Sequence, residues 1–137
     1  MMMGPAGPAP DTSRTMSGHP QALTMPPAPD LPKGPWLGVV SATFTAWAGP
    51  WGTSFTANLT PDHETGLGAW TIRTFVDTIR SGRVMAKGRK LLPPMPYEAL
   101  RNLTDDDLAS IFAYLHSLPV VANRVPEPVP PKEAPAR

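Results

Sequence analysis

The sequence of 137 residues contains no cysteine, so disulfide bonds are excluded as a source of stability. Folded units of fewer than about 80 residues usually need a disulfide, a metal or a cofactor to be stable. If the ordered part of this chain is that small, a bulky apolar cofactor becomes the expected source of stability.

Further absences exclude other classes of protein. The formal net charge is only +1, so the chain lacks the basic excess of nucleic-acid-binding proteins. No run of about 18 apolar residues is present, so no transmembrane helix is predicted. The N-terminus has no basic segment followed by an apolar one, so no signal peptide is visible. The sequence also has no Gly-rich phosphate loop, nucleophile elbow or histidine pair at helical spacing, so no enzyme active site is predicted.

Proline is abundant, and its distribution predicts the organisation of the chain. Of the 20 prolines, nine lie in residues 1–35 and six in residues 119–137. Because proline fixes φ and removes a backbone donor, these ends cannot form helices or central strands. The sequence therefore predicts a mostly disordered Pro/Gly-rich linker at residues 1–35, a folded domain at residues 36–118 and a Pro-rich extended tail at residues 119–137.

Hydrophobic periodicity predicts two helices in the folded part. The first begins after Thr71 and ends at Gly82, a residue suited to a left-handed cap. The second begins after Thr104, has three aspartates in its first turn and is stopped by Pro119. The apolar stripe of the first helix contains Ile72, Phe75, Val76 and Ile79. That of the second contains Leu108, Ile111, Phe112 and Leu115. A short helical turn is predicted at Tyr97–Leu100, a short strand at Val39–Thr45 and a turn-rich loop at Asn58–Gly68.

Met95 is the residue whose surroundings most suggest a cofactor. It lies between Pro94 and Pro96, which restrict the backbone, and it follows the apolar pair Leu91–Leu92. A methionine thioether is a soft ligand that suits haem iron. The alternative interpretation is a methionine that fills space in the core, since the chain has seven methionines.

The part of the chain from Asn58 to Pro128 contains an ordered series of short motifs. They are Asn58–Asp62, Glu64–Gly66, Gly68, Trp70–Thr71, Pro93–Pro96, Leu103–Asp105, Tyr114–Leu115, Ser117–Pro119 and Asn123–Pro126. Together they resemble the C-terminal part of a bacterial class I c-type cytochrome domain, in the subfamily of monohaem and dihaem carriers. Residues 17–20 and 46–52 resemble the loop that follows the haem-attachment site in that subfamily.

The resemblance implies a mainly α fold: a cytochrome c-like helical domain, incomplete at its N-terminus, around haem c. It implies that Met95 is the distal axial ligand of the iron, and that Asn58 and Trp70 lie near the haem or brace its pocket. Leu92 and Pro94, beside Met95, are the other predicted cofactor-binding residues, because Leu92 can exclude water and Pro94 restricts the backbone. The resemblance also implies an electron carrier rather than an enzyme, a periplasmic location, and a redox partner such as a dehydrogenase or a terminal oxidase.

The departure from the family is the missing Cys-x-x-Cys-His motif, which is expected just upstream of Met1. Without cysteine, this chain cannot attach haem covalently. His19 is an alternative ligand for noncovalently bound haem, but a surface or hydrogen-bonded role is favoured for it, as for His63 and His116. The alternative to electron transfer is a haemless remnant, with no cofactor, that acts as an interaction or structural module or is non-functional.

A cluster of positive charge precedes the Met95 segment. Five basic residues and no acid lie between Arg80 and Lys90. This cluster could steer an acidic redox partner. The favoured interpretation is a solvated loop with no role.

Overall fold

The computed structural model describes residues 2–4 and 7–132, and the secondary structure there is mixed. The strands are β1 (Met2–Gly4), β2 (Gly7–Ala9), β3 (Val39–Val40), β4 (Ala46–Gly49) and β5 (Gly52–Phe55). The α-helices are α1 (Ile72–Ser81), α2 (Tyr97–Leu100) and α3 (Asp105–His116). Short 3-10 turns occupy Thr12–Arg14 and Val84–Ala86.

The prediction of a mainly α fold is wrong. The three helices contain ten, four and twelve residues, whereas β3, β4 and β5 form an antiparallel sheet in that order. The sheet forms in a segment of small, β-branched and aromatic residues that contains Gly49, Pro50 and Gly52, and glycine and proline disfavour a helix. Gly49 pairs with Gly52 across a two-residue turn. Of the strand predicted at Val39–Thr45, the structure confirms only Val39–Val40.

The chain forms two compact units. The first unit contains the described residues up to Asn58 together with residues 123–132, and the second unit is Leu59–Ala122. The predicted division into linker, domain and tail is a different one, and it stays a prediction. Residues 1, 5 and 6 of the predicted linker and residues 133–137 of the predicted tail lie outside the described residues.

The second unit has an apolar core between α1 and α3. The rings of Phe75 and Phe112 lie 5.4 Å apart, centroid to centroid. The buried members of the core are Leu67, Phe75, Ile79, Leu108, Phe112 and Leu115. Burial of these side chains, at about 1.5–3 kcal/mol each, is the main stabilising term of the unit. Ile111, at the edge of the α3 stripe, is 37% exposed.

The helix boundaries confirm the capping predictions. The Thr71 hydroxyl accepts from the backbone N–H of Thr74 at 3.1 Å, and Gly82 ends α1 with φ 69°. Thr104 and Asp107 form a reciprocal capping box at the start of α3. The short helix predicted at Tyr97–Leu100 is present with those bounds.

The first unit combines the small sheet with a largely polar interior. Val129 extends the sheet, because its backbone exchanges hydrogen bonds of 2.8 and 2.9 Å with Thr53. Ala46 and Ala48 are the buried apolar residues among those described in this unit. The buried polar residues are Ser17, His19, Ser54, Asn58 and Asn123. Because buried polar groups need hydrogen-bond partners, hydrogen bonds position these side chains in the interior of the unit.

Candidate functional site

The loop that carries Met95 returns to the end of α1. The backbone N–H of Leu91 donates to the carbonyl of Gly82 at 2.8 Å. The N–H of Met95 donates to the carbonyl of Leu92 at 3.0 Å, which closes a turn over the prolines. Pro96 then serves as the N-cap residue of α2. The loop is thus held both internally and at its N-terminal end.

Gly82 also anchors the C-terminal end of this loop. A Cβ at Gly82 would lie 2.7 Å from Cζ of Tyr97, the first residue of α2. The φ of 69° at Gly82 is also one that L-residues rarely adopt. Glycine is therefore required here for two reasons, the left-handed backbone and the close approach of the Tyr97 ring. Met95 is held between two contacts that both involve Gly82.

The predicted binding residues fall in different environments. Met95 is 40% exposed, Pro94 is exposed and Leu92 is half-buried. Trp70 is partly buried against the apolar core of the second unit. Asn58 lies in the first unit, where its side-chain amide donates to the carbonyl of Asn123 at 3.2 Å. Their roles around a haem stay predictions.

His19, the predicted alternative ligand, is fully buried in the first unit. Its Nε2 lies 2.8 Å from the carbonyl oxygen of Leu23, and its Nδ1 lies 2.9 Å from the hydroxyl of Thr45. Because a carbonyl can only accept, Nε2 carries the proton in the neutral ring and Nδ1 accepts from Thr45. The ring also packs 4.8 Å from that of Phe55. Iron coordination by His19 would require one of these hydrogen bonds to break.

The other two histidines lie in the second unit. Nε2 of His116 lies 2.9 Å from the carbonyl oxygen of Leu67. The centroid of its ring lies 4.1 Å from that of Phe112. This hydrogen bond joins the end of α3 to the turn that precedes α1. His63 is exposed within the same turn-rich region.

That turn is stabilised by Asp62. The hydroxyl of Thr65 donates to its carboxylate at 2.5 Å, and the backbone N–H of Thr65 donates at 2.8 Å. These hydrogen bonds lower the pKa of the Asp62 carboxyl below its ordinary value of 3.8. The N–H of Leu67 then donates to the carbonyl of Thr60 at 2.8 Å, which fixes Leu67 where it enters the core.

Asn123 is a buried residue whose contacts the sequence did not predict. Its Nδ2 donates to the carbonyls of Ser17 and His19 at 2.7 and 2.9 Å. Its Oδ1 accepts from the backbone N–H of Gln21 at 2.8 Å and from the guanidinium of Arg14 at 3.0 Å. One amide side chain thus joins segments more than 100 residues apart.

The first unit also contains a groove of about 600 Å³. Its walls are mostly apolar and rich in proline, and they include Met25, Pro26, Trp36, Val39, Phe55 and Pro130. None of the predicted site residues lines this groove.

Residues 2–4 and 7–132 contain no group of three or more His, Asp or Glu side chains placed to hold a metal ion. In the same part of the chain, no helix has the length and apolar character that crossing a membrane requires.

Comparison with known proteins finds several relatives of this chain. The chain is 40% identical over 77 residues to a subunit of the nicotinate dehydrogenase of Pseudomonas putida, a match that covers 56% of this chain and 6% of that protein. It is 39% identical over 70 residues to the fructose dehydrogenase cytochrome subunit of Gluconobacter japonicus, covering 51% and 14%. It is 30% identical over 77 residues to a diheme cytochrome c-type protein of Cereibacter sphaeroides, covering 56% and 25%.

The resemblance to c-type cytochromes is confirmed. This chain is homologous, over about half its length, to cytochrome c subunits of dehydrogenases and to a diheme cytochrome c. It spans only 6% to 25% of the length of these relatives. No protein-family model matches the chain.

Proposed function

We propose that this chain forms part of the haem pocket of an electron-transfer protein and that Met95 is the distal axial ligand of the haem iron. The observation that carries the proposal is the exposed side chain of Met95, on a loop anchored at both ends by Gly82. The homology with cytochrome c subunits supports the haem assignment.

The chemistry of the loop fits this role. A thioether is a soft ligand for haem iron, and a Met/His axial pair raises the reduction potential. A ligand on a restrained loop loses little conformational entropy on binding. When bound, the haem would supply one-electron transfer at its iron, and the protein would bind it, orient it and exclude water. Trp70, Leu92 and Pro94, which lie in the same unit as Met95, are the proposed apolar lining.

The residues that attach the haem and bind its iron on the proximal side must come from another segment. This chain has no cysteine for thioether attachment. Both ring nitrogens of His19 are hydrogen-bonded and the residue is fully buried, so His19 is a weaker candidate than an external ligand. We infer that a Cys-x-x-Cys-His segment outside these residues supplies the attachment and the proximal histidine.

The partner and the location are proposed from the relatives and from the resemblance to the family. Because several relatives are dehydrogenase subunits, we propose a dehydrogenase as the electron donor and a carrier role, not catalysis, for this chain. A terminal oxidase as the acceptor and a periplasmic location are proposals from the resemblance to the family.

A haem peptide that carries its own Cys-x-x-Cys-His segment provides the experimental test. Its histidine occupies one axial position and leaves the other open. We expect the chain to bind this peptide, and Met95→Leu to weaken binding by about tenfold or more through loss of the iron ligand. The matched control is Met85→Leu, an exposed methionine in the preceding loop, which should leave binding unchanged. Equal binding by the Met95 and Met85 variants would refute the ligand assignment.

The second candidate is a haemless interaction or structural module. The absence of cysteine favours it, because a natural product of this sequence alone could not hold haem covalently. Reading the DNA upstream of the Met1 codon distinguishes the two. An open frame that encodes Cys-x-x-Cys-His supports the carrier, and a stop codon close upstream supports the haemless module.

A further inference from the structure

The small sheet of the first unit has two edges, one of which is covered by the chain itself. At the β5 edge, the backbone of Thr53 exchanges hydrogen bonds with that of Val129. At the other edge, β3 pairs with β4 and with no further strand among residues 2–4 and 7–132. An uncovered edge strand is a template for pairing with another strand.

The backbone of Val40 faces the open edge. The N–H of Ser41 donates to the carbonyl of Ala46 at 2.9 Å, so these two residues form a hydrogen-bonded pair. Hydrogen-bonded and non-hydrogen-bonded pairs alternate along an antiparallel ladder, and the next pair is Val40 with Trp47. The N–H and the carbonyl of Val40 therefore point away from β4, where a further strand would bind them.

The chain beside the open edge lacks the residues that usually protect an edge strand. Residues 36–49 contain no charged residue and no proline, whereas natural edge strands are commonly protected by one or the other. Large apolar side chains are exposed here instead. They are Trp36 at 71%, Leu37 at 72%, Val40 at 41% and Phe44 at 52%, named here the apolar edge.

Phe44 is held at the surface by an unfavourable backbone conformation. Its φ is 57°, and its N–H donates to the carbonyl of Ser41 at 2.9 Å, which closes the turn after β3. A bulky residue with a left-handed φ is rare in proteins. The exposed ring gains no hydrophobic stabilisation in a single copy of the chain, and it would gain some in an interface.

The apolar edge is large enough for a small interface. Since a large side chain has about 150–250 Å² of surface, the exposed fractions leave roughly 500 Å² of side-chain surface per copy. A contact between two copies would then bury about 1,000 Å² in total, the lower limit for a specific protein–protein interface. It would also give the outward N–H and carbonyl of Val40 their hydrogen-bond partners.

We propose that two copies of this chain associate through the apolar edge, with their β3 strands antiparallel and the two Val40 residues opposite each other. The contact is self-complementary under two-fold symmetry, so it closes after two copies. Because residues 36–49 carry no charge, the pairing brings no like charges of this segment together. The dimer involves the first unit and does not require Met95 to bind iron, so it can fail independently of the proposed function.

Sedimentation of the 137-residue chain at several concentrations tests the association. We expect a monomer–dimer equilibrium, and Val40→Lys should weaken it by about tenfold or more, because two like charges would lie opposite each other. Val120→Lys is the matched control, since Val120 is 60% exposed in the second unit, and it should leave the equilibrium unchanged. A chain that is monomeric up to its solubility limit would overturn the proposal, and so would equal association of the two variants. A monomeric chain that binds phosphatidylcholine vesicles would assign the apolar edge to a membrane surface instead.

The absence of cysteine from the chain allows a direct test of the register. Two antiparallel residues that exchange both hydrogen bonds have Cα atoms about 5.5 Å apart, a distance that a disulfide can span. Val40→Cys should therefore give a disulfide-linked dimer under mild oxidation, and Val120→Cys should not. Failure of Val40→Cys to cross-link, or equal cross-linking of the two variants, would overturn the pairing of the β3 strands.

The contribution of the exposed ring is tested with Phe44→Gly, which removes the side chain and suits the left-handed backbone. Stability should be retained or increased, while association weakens by about fivefold. Met16→Gly is a matched control, because Met16 has φ 61° and is 44% exposed in the same unit. Equal association of the Phe44 and Met16 variants would overturn the place of Phe44 in the interface.

Discussion

Replacing Gly82 with alanine should destabilise the second unit and disturb the Met95 loop. The left-handed φ of 69° at this position costs an L-residue about 1–2 kcal/mol. The added Cβ would also lie 2.7 Å from Cζ of Tyr97, and overpacking of this kind costs about 1–3 kcal/mol. The two effects together predict a loss of about 2–5 kcal/mol in the free energy of unfolding.

A double-mutant cycle with Tyr97→Ala separates the two effects. Without the ring, Gly82→Ala should retain only the backbone penalty of about 1–2 kcal/mol. Urea unfolding followed by circular dichroism measures each variant, and an unchanged denaturant slope shows that the unfolded state is comparable. A cost of Gly82→Ala below about 1 kcal/mol in the wild-type background would refute the reasoning. An equal cost with and without the Tyr97 ring would refute the steric part of it.

Three further predictions concern the polar residues. Asn123→Ala should reduce the free energy of unfolding by about 3–5 kcal/mol, because it leaves the buried carbonyls of Ser17 and His19 and the N–H of Gln21 without a partner; a loss below about 1 kcal/mol in urea unfolding would contradict this. Nitrogen NMR should find the neutral His19 ring protonated at Nε2, and a proton on Nδ1 instead would contradict the hydrogen bonds described. The lowered pKa of Asp62 contributes stability that is complete above its unfolded value of 3.8 and is lost as the pH falls through the lower folded value. Asp62→Asn should therefore lose less stability than the wild type on acidification below pH 3.8, whereas identical pH profiles would count against the hydrogen bonds from Thr65.

The helical half of the protein was predictable because its signals are local. Thr71, Gly82 and Thr104 occupy the cap positions that their chemistry predicts. Six of the eight stripe residues belong to the core or pack against it, whereas Ile72 and Ile111 are 50% and 37% exposed. Each signal depends on residues within a few positions along the chain. Sequence reasoning is most reliable for features of this kind.

The sheet and the buried polar network were not predictable in the same way. β4 and β5 depend on pairing between residues such as Ala46 and Phe55. Neither a helical nor a strictly alternating pattern in the sequence predicts this pairing. Asn123 joins residues more than 100 positions away, and nothing in its local sequence indicates burial. His19 lies in a short segment rich in glycine and proline, yet its ring is enclosed by hydrogen bonds to Leu23 and Thr45. Non-local contacts of this type decided the difference between the predicted mainly α fold and the mixed one.

The candidate site was only partly predictable from the sequence. The prolines around Met95 predicted a restrained loop, and hydrogen bonds to Gly82 and Leu92 restrain it. The role of Gly82 as an anchor for both ends was not predicted, because it depends on the return of Tyr97 to the end of α1. The exposed Phe44 beside β3 was also missed, since its left-handed backbone has no signature in the sequence.

The central claim is that the sulfur of Met95 binds haem iron. The most direct measurement is proton NMR of the methionine methyl groups in the ferrous complex with the Cys-x-x-Cys-His haem peptide. Coordination predicts that one methionine methyl moves far upfield in the ring current of the haem, and that this resonance is lost in Met95→Leu and kept in Met85→Leu. No upfield methyl in the complex, or one that persists in Met95→Leu, would contradict the claim.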